Sequence, residues 1–255
     1  MKSRPIVGYI FLGLGWRYLQ DINAGTLIHG DGFVLFNIKT VLQRLEEFNL
    51  QVTLRSATEL YELRDEFEKL PLEAILTAEQ AGKLSQAMRD LQRVVQAEGS
   101  GNFSYIVTDK RLDITKLLGH AEKLFAPNVF EKLPDVAKYD FLEAGYCIAF
   151  ERSTAGAFHL LRGTEDVLRS FYCQIIKRNR VNPLLWGPIV SALRKRRHSP
   201  SPESLNNLDN IRISFRNPTQ HPEKIYDIQE VQDLFALCVD VVNRMVRSET
   251  WNSNS

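Results

Sequence analysis

The chain has 255 residues, a formal net charge of +1, 44% hydrophobic and 25% charged side chains. That composition excludes a disordered or collagen-like chain and leaves room for one large domain or two modest ones. Near-neutrality also excludes a global electrostatic pull toward nucleic acid, so any such attraction must come from local patches.

In chain order, the first ~130 residues mix element types. Residues 5–14 and 33–37 read as strands, and 51–54 as a short third strand. The run 6–16 follows Lys2 and Arg4 as a signal peptide would, yet it is too short to span a bilayer and lacks a small-residue cleavage pattern. A buried strand is expected there, and a cytoplasmic protein. Gly13-Leu14-Gly15 is too incomplete for a nucleotide fingerprint. Ile38, Val41, Leu42 and Leu45 have helical spacing over 37–48, and a second helix is expected over 57–70, closed by Leu70-Pro71. Thr77, with Gln80 three residues on, caps a long helix over 77–98. Residues 103–108 alternate as a strand would, and Leu117 and Leu118 belong to a further helix. Pro127 and Pro134 then mark a boundary, giving an α+β domain over 1–130 and an all-helical domain over 131–255.

The second domain reads as helices over 135–152, 155–177 and 184–197, then one with Ser201 as N-cap and Pro202 in its first turn. That fourth helix ends near Arg216, because Pro218 and Pro222 each remove an N–H and disfavour α geometry before them. The closing helix starts at Asp227, in a capping-box pattern with Glu230, and shows one apolar face from Ile228 to Met245.

Within this half, Phe158, Leu161, Leu168, Tyr172 and Ile175 trace an apolar stripe that includes Glu165. A carboxylate on such a stripe needs a cation, and Arg216 is one candidate, with neighbouring Arg162 or Arg169 the other. Two basic runs, Lys177-Arg178-x-Arg180 and Arg194-Lys195-Arg196-Arg197, stand at helix ends, where cations are favoured anyway. With His198 beside the second run, they are candidate phosphate contacts. His159 reads as a histidine at the edge of the core. The three cysteines, Cys147, Cys173 and Cys238, and the five histidines show no metal-ligand spacing, so no metal and no other cofactor is expected.

The string Arg216-Asn217-Pro218-Thr219-Gln220-His221, the long helix before it and the amphipathic helix after it resemble the HEPN domain family over about 135–250. That family's signature is an arginine, usually followed by a polar residue, and a histidine after four intervening residues. Pro218 departs from its usual pattern. The resemblance implies a helical bundle that pairs with a second copy, so that two motifs form one composite site. It further implies a metal-independent endoribonuclease leaving a 2′,3′-cyclic phosphate and a 5′-hydroxyl, in a toxin or antiviral defence setting. His221 would move the proton, Arg216 would stabilise the phosphorane charge, Asn217 would position a phosphate oxygen or its own loop, and Glu165 would orient Arg216. RNA, a homodimer partner and a regulatory partner are the implied partners. The alternative is a non-catalytic HEPN-like dimerisation or interaction module.

Overall fold

The computed structural model describes residues 5–102, 105–178, 180–196, 200–220, 224–248 and 251, and among them every regular element is helical. The only strand-like pairing among the described residues is a single antiparallel bridge between Leu27 and Ile75. Contacts divide the chain into two units, 1–105 and 106–255.

The first unit is built from α1 (Val7–Gln20), α2 (Val34–Glu47), α3 (Gln51–Ser56), α4 (Thr58–Phe67) and α5 (Ala78–Gly99). No α+β domain is present among the described residues, and the expected strands fail for identifiable reasons. Over 5–14 the apolar run carries no period. Gly8, Gly15, Trp16 and Leu19 are buried at helical spacing, whereas Val7, Ile10, Phe11 and Leu14 on the other side are exposed. Residues 33–37 are the N-terminal turn of α2, whose Ile38, Val41 and Leu45 are fully buried. Residues 51–54 become α3 because Glu98, far along the chain, accepts hydrogen bonds from Val52 N, Thr53 N and Thr53 Oγ1 at 3.0, 2.8 and 2.7 Å. A carboxylate at a helix N-terminus satisfies its unpaired N–H groups and complements its dipole. Of the expected strand 103–108, residues 105–108 form no regular element and 103–104 lie outside the described residues. The capping box at Thr77 and Gln80 is present as expected and starts α5.

In the second unit, α6 (Ile114–Leu117) and two short 3₁₀ turns lead into α7 (Asp135–Ala149), α8 (Ser153–Ile175), α9 (Trp186–Arg194), α10 (Pro202–Ile211), the short α11 (Asn217–Thr219) and α12 (Ile228–Arg247). Residues 106–130 belong here, since Leu117, Phe125 and Val129 enter the same core as Phe141, Leu168 and Phe235. α8 is central and packs on α7, α9 and α12. Two glycines permit the closest approaches. A Cβ at Gly145 would lie 2.6 Å from the Leu117 carbonyl oxygen, and one at Gly163 would lie 3.1 Å from Asp140 Cβ. The capping box at Asp227 and Glu230 starts α12, whose Val231, Leu234, Phe235, Cys238, Val242 and Met245 fill the core. Burial pushes the Cys238 thiol up to about 12, which leaves it an inert small hydrophobe.

Candidate functional site

Ser201 caps α10 through Ser204 N and Pro202 occupies its first turn, as the sequence predicts. The chain does not leave the helix at Arg216, however. A π-helical turn spans Arg212–Arg216 and helical geometry continues through Pro218 to Thr219. In an α-helix the proline ring would clash with the carbonyl four residues earlier, here Ser214, and orphan it. Widening that turn to π geometry relieves the conflict.

Past this turn the chain is fastened by three oxygens. Thr219 Oγ1 lies 2.6 Å from the Phe215 carbonyl, the Tyr226 hydroxyl lies 3.1 Å from it, and the two hydroxyls are 2.7 Å apart. Two protons can serve only two of these three contacts at once, so the hydroxyls share the carbonyl by rotation. Tyr226 N donates to Thr154 Oγ1 at 3.1 Å, tying the same corner to the start of α8. Burial raises the Tyr226 phenol above its ordinary range, so it remains a donor at neutral pH.

This corner positions Arg216. Its side chain is 26% exposed and its Nη2 lies 3.5 Å from Glu165 Oε2, at the outer limit of a hydrogen bond. Its Nε is buried and has no partner among the described residues. Glu165, 13% exposed, is held more closely by Arg169, whose Nη2 lies 2.7 Å from Oε1. Both Arg169 and Arg216 therefore reach Glu165, with Arg169 the near one. Asn217 is half-buried in the short helical turn. His221 lies outside the described residues.

Arg162 is not a partner of Glu165. It faces Asp140 on α7, a carboxylate with 0% exposure, and binds it in a fork, Nε to Oδ2 at 2.7 Å and Nη2 to Oδ1 at 2.5 Å. His159 Nδ1 lies 2.8 Å from the same Oδ1. The hydrogen bond to Asp140 holds the Arg162 guanidinium above its ordinary pKa. Sequence reasoning missed this cluster although a signal existed. Asp140 shares the buried face of α7 with Ala137, Phe141, Ala144 and Ile148, a more apolar setting than that of Glu165. Beside it, burial raises the Asp166 carboxyl, against a backbone hydrogen bond at Ala137 and the charge of Arg169, and Asp166 Oδ2 is buried without a partner among the described residues. Phe158, expected on the apolar stripe, is 47% exposed and lies on the outer side of α8.

The basic runs divide. Arg180 turns back and donates from Nε to Ile176 O at 2.7 Å and from Nη2 to Cys173 O at 2.9 Å, which caps the C-terminus of α8. Arg194 is engaged with Asn206 and Asp209, both at 2.9 Å. All six described members of the runs, Arg180 and Arg194 included, are exposed, while Arg197 and His198 lie outside the described residues. Among the described residues no group of three or more His, Cys, Asp or Glu could hold a metal ion, and no helix is long and apolar enough to cross a membrane.

No family model, curated protein or solved structure matches the chain. Its function must therefore be read from its own residues.

Proposed function

We propose that the second unit is a HEPN-type, metal-independent endoribonuclease that works as a homodimer, its Arg216 and His221 forming one composite site with those of a second copy. The observation that carries this reading is the state of Arg216. A guanidinium is aimed by a half-buried carboxylate through one contact at 3.5 Å, and its side chain keeps 26% exposure. Such an arginine has donors to spare for a phosphorane, whose charge appears only in the transition state.

In this mechanism the imidazole of His221 accepts the proton of the RNA 2′-hydroxyl as its oxygen attacks phosphorus. The 5′-oxygen then leaves with the proton that the His221 imidazolium gives up, and Arg216 neutralises the equatorial oxygens. Glu165, anchored by Arg169, is a positioning residue for Arg216. Asn217 holds a phosphate oxygen or its own turn. Of the basic runs, the exposed Arg178, Lys195 and Arg196 are the leading sequence-independent strand contacts, with the rest of both runs beside them. Action as a toxin or antiviral defence effector, restrained by a regulatory partner, extends the same reading.

The test is expression toxicity in cells together with cleavage of labelled RNA by purified protein in EDTA. Wild type is expected to be toxic and to cleave, and His221→Ala is expected to lose both, with a rate loss of about 10²–10⁴. Toxicity and cleavage that persist in His221→Ala would refute the mechanism. A stable dimer that binds its partners but never cleaves would favour the interaction module.

A further inference from the structure

We propose that the outer face of the α7–α8 pair, built on Asp140, is a nucleotide-binding subsite that holds one unit of a single-stranded RNA away from the cleaved bond. The subsite deepens the ribonuclease reading and rests on it for the identity of the strand, while its geometry stands apart from that reading.

The cations come first. Asp140 is fully buried and spends both oxygens on Arg162 and His159. Arg162 uses only its Nε–Nη2 edge on the carboxylate, and 60% of its side chain remains exposed, so the other edge of a rigid fork faces outward. His159 is 26% exposed. When its Nδ1 donates to Asp140, the tautomer is fixed and Nε2 is presented to the outside as an acceptor. The acid is hidden and the Arg162 guanidinium shows. What solvent meets is therefore a cation held in place before any ligand arrives, which lowers the ordering cost of binding.

The rings supply the second, independent observation. Tyr139 is 55% exposed and its ring meets His159 in an edge contact with centroids 6.3 Å apart. Phe158 is 47% exposed and lies four residues, about one helical turn, before Arg162. Two exposed aromatic faces beside an outward guanidinium match what single-stranded nucleic acid needs, a ring for the base and a cation for the phosphate. A second copy of this chain fits less well, because a two-fold axis through the patch would set Arg162 against its own equivalent.

The probe is a short, labelled single-stranded oligonucleotide with every 2′-hydroxyl methylated, which offers bases and phosphates but no nucleophile. Arg162→Lys keeps a cation for Asp140 and removes the outward fork. Tyr139→Ala and Phe158→Ala each remove a ring, and Tyr139→Phe keeps one. Wild type and Tyr139→Phe are expected to bind alike. The other three should bind about five- to tenfold more weakly, the lower range for a lost stack or phosphate contact. Should Arg162→Lys fail to fold, the two exposed ring variants carry the test. Undiminished binding in those variants, or no binding by wild type, overturns the subsite. A dimer that falls to monomer in Tyr139→Ala and Phe158→Ala with binding unchanged also overturns it and assigns the face to a second copy. Weakened binding in the variants of a protein that never cleaves RNA would sustain the subsite and sink the nuclease.

Discussion

Asp140 and Glu165 are two carboxylates served by arginines of the same helix, and they differ in how completely they are satisfied. Asp140 is sealed from water and takes a fork from Arg162 and a ring nitrogen from His159, at 2.5–2.8 Å. Glu165 keeps 13% exposure, is tightly bound on one side by Arg169, and reaches Arg216 only at 3.5 Å. The first arrangement locks α7 to α8. The second holds a cation by one long contact, which in the proposed reading leaves Arg216 free for a phosphate. Likeness at the level of residue type thus conceals different degrees of engagement, and geometry separates them.

The largest effect that would sharpen this contrast is on stability. Asp140→Ala opens a buried polar gap and leaves His159 and the solvent-facing Arg162 without their acceptor, and should cost about 1–3 kcal/mol, read by denaturant unfolding. Glu165→Gln keeps an acceptor for Arg169, whose own side chain is largely in solvent, and should cost under ~1 kcal/mol in the same measurement. Equal losses in the two variants would erase the distinction between a sealed and an open carboxylate.

A smaller effect is expected at the corner that aims Arg216. Tyr226→Phe removes one of the two protons shared among Phe215, Thr219 and Tyr226, and should destabilise the second unit by about 1 kcal/mol. It should also lower cleavage severalfold through a misaimed Arg216, with substrate binding little changed. A loss of binding without a loss of turnover would contradict that role.

The smallest is a pH effect. Burial raises the Asp166 carboxyl above its unfolded value, so the folded state holds its proton more tightly than the unfolded chain does. This group therefore favours folding at low pH, and its contribution is lost as pH rises through the raised folded value. Asp166→Asn should flatten the fall in stability between the unfolded and the raised folded value. Stability against pH for the two proteins, measured by thermal melts, would show parallel curves if Asp166 were not strained.

Much of the second unit was legible in the sequence because its signals are local. Ser201 with Pro202, and Asp227 with Glu230, start helices where their chemistry demands. The α12 face repeats at helical period over about five turns, which no strand could match. In the first unit the local signals of α2, α4 and α5 were legible too, whereas α1 and α3 were not. α1 is apolar on both sides, so period could not separate helix from strand, and α3 is a helix only because Glu98 caps it from 46 residues away. At the site, one misplaced charge on an apolar face made it legible that Glu165 needs a cation, but not that Arg169 would be the near partner and Arg216 the far one. Asp140 is misplaced in the same way and has the stronger partners, but no cation stands three or four residues from it in the sequence. Its partners arrive from the next helix. The helical passage through Pro218 was illegible because a proline usually ends a helix, and the π turn that accommodates it leaves no pattern in the sequence.

The loosely held Arg216 is, in this reading, the working cation. That role is tested most directly by the initial rate of single-stranded RNA cleavage in EDTA for wild type and Arg216→Ala, with end-group analysis of the products and a thermal melt of each protein. Expected are 2′,3′-cyclic phosphate and 5′-hydroxyl ends from wild type, a rate about 10²–10³ lower in the variant, and melting curves that nearly coincide. Cleavage by Arg216→Ala at the wild-type rate, or wild-type protein that leaves RNA intact with every activator tried, would contradict it.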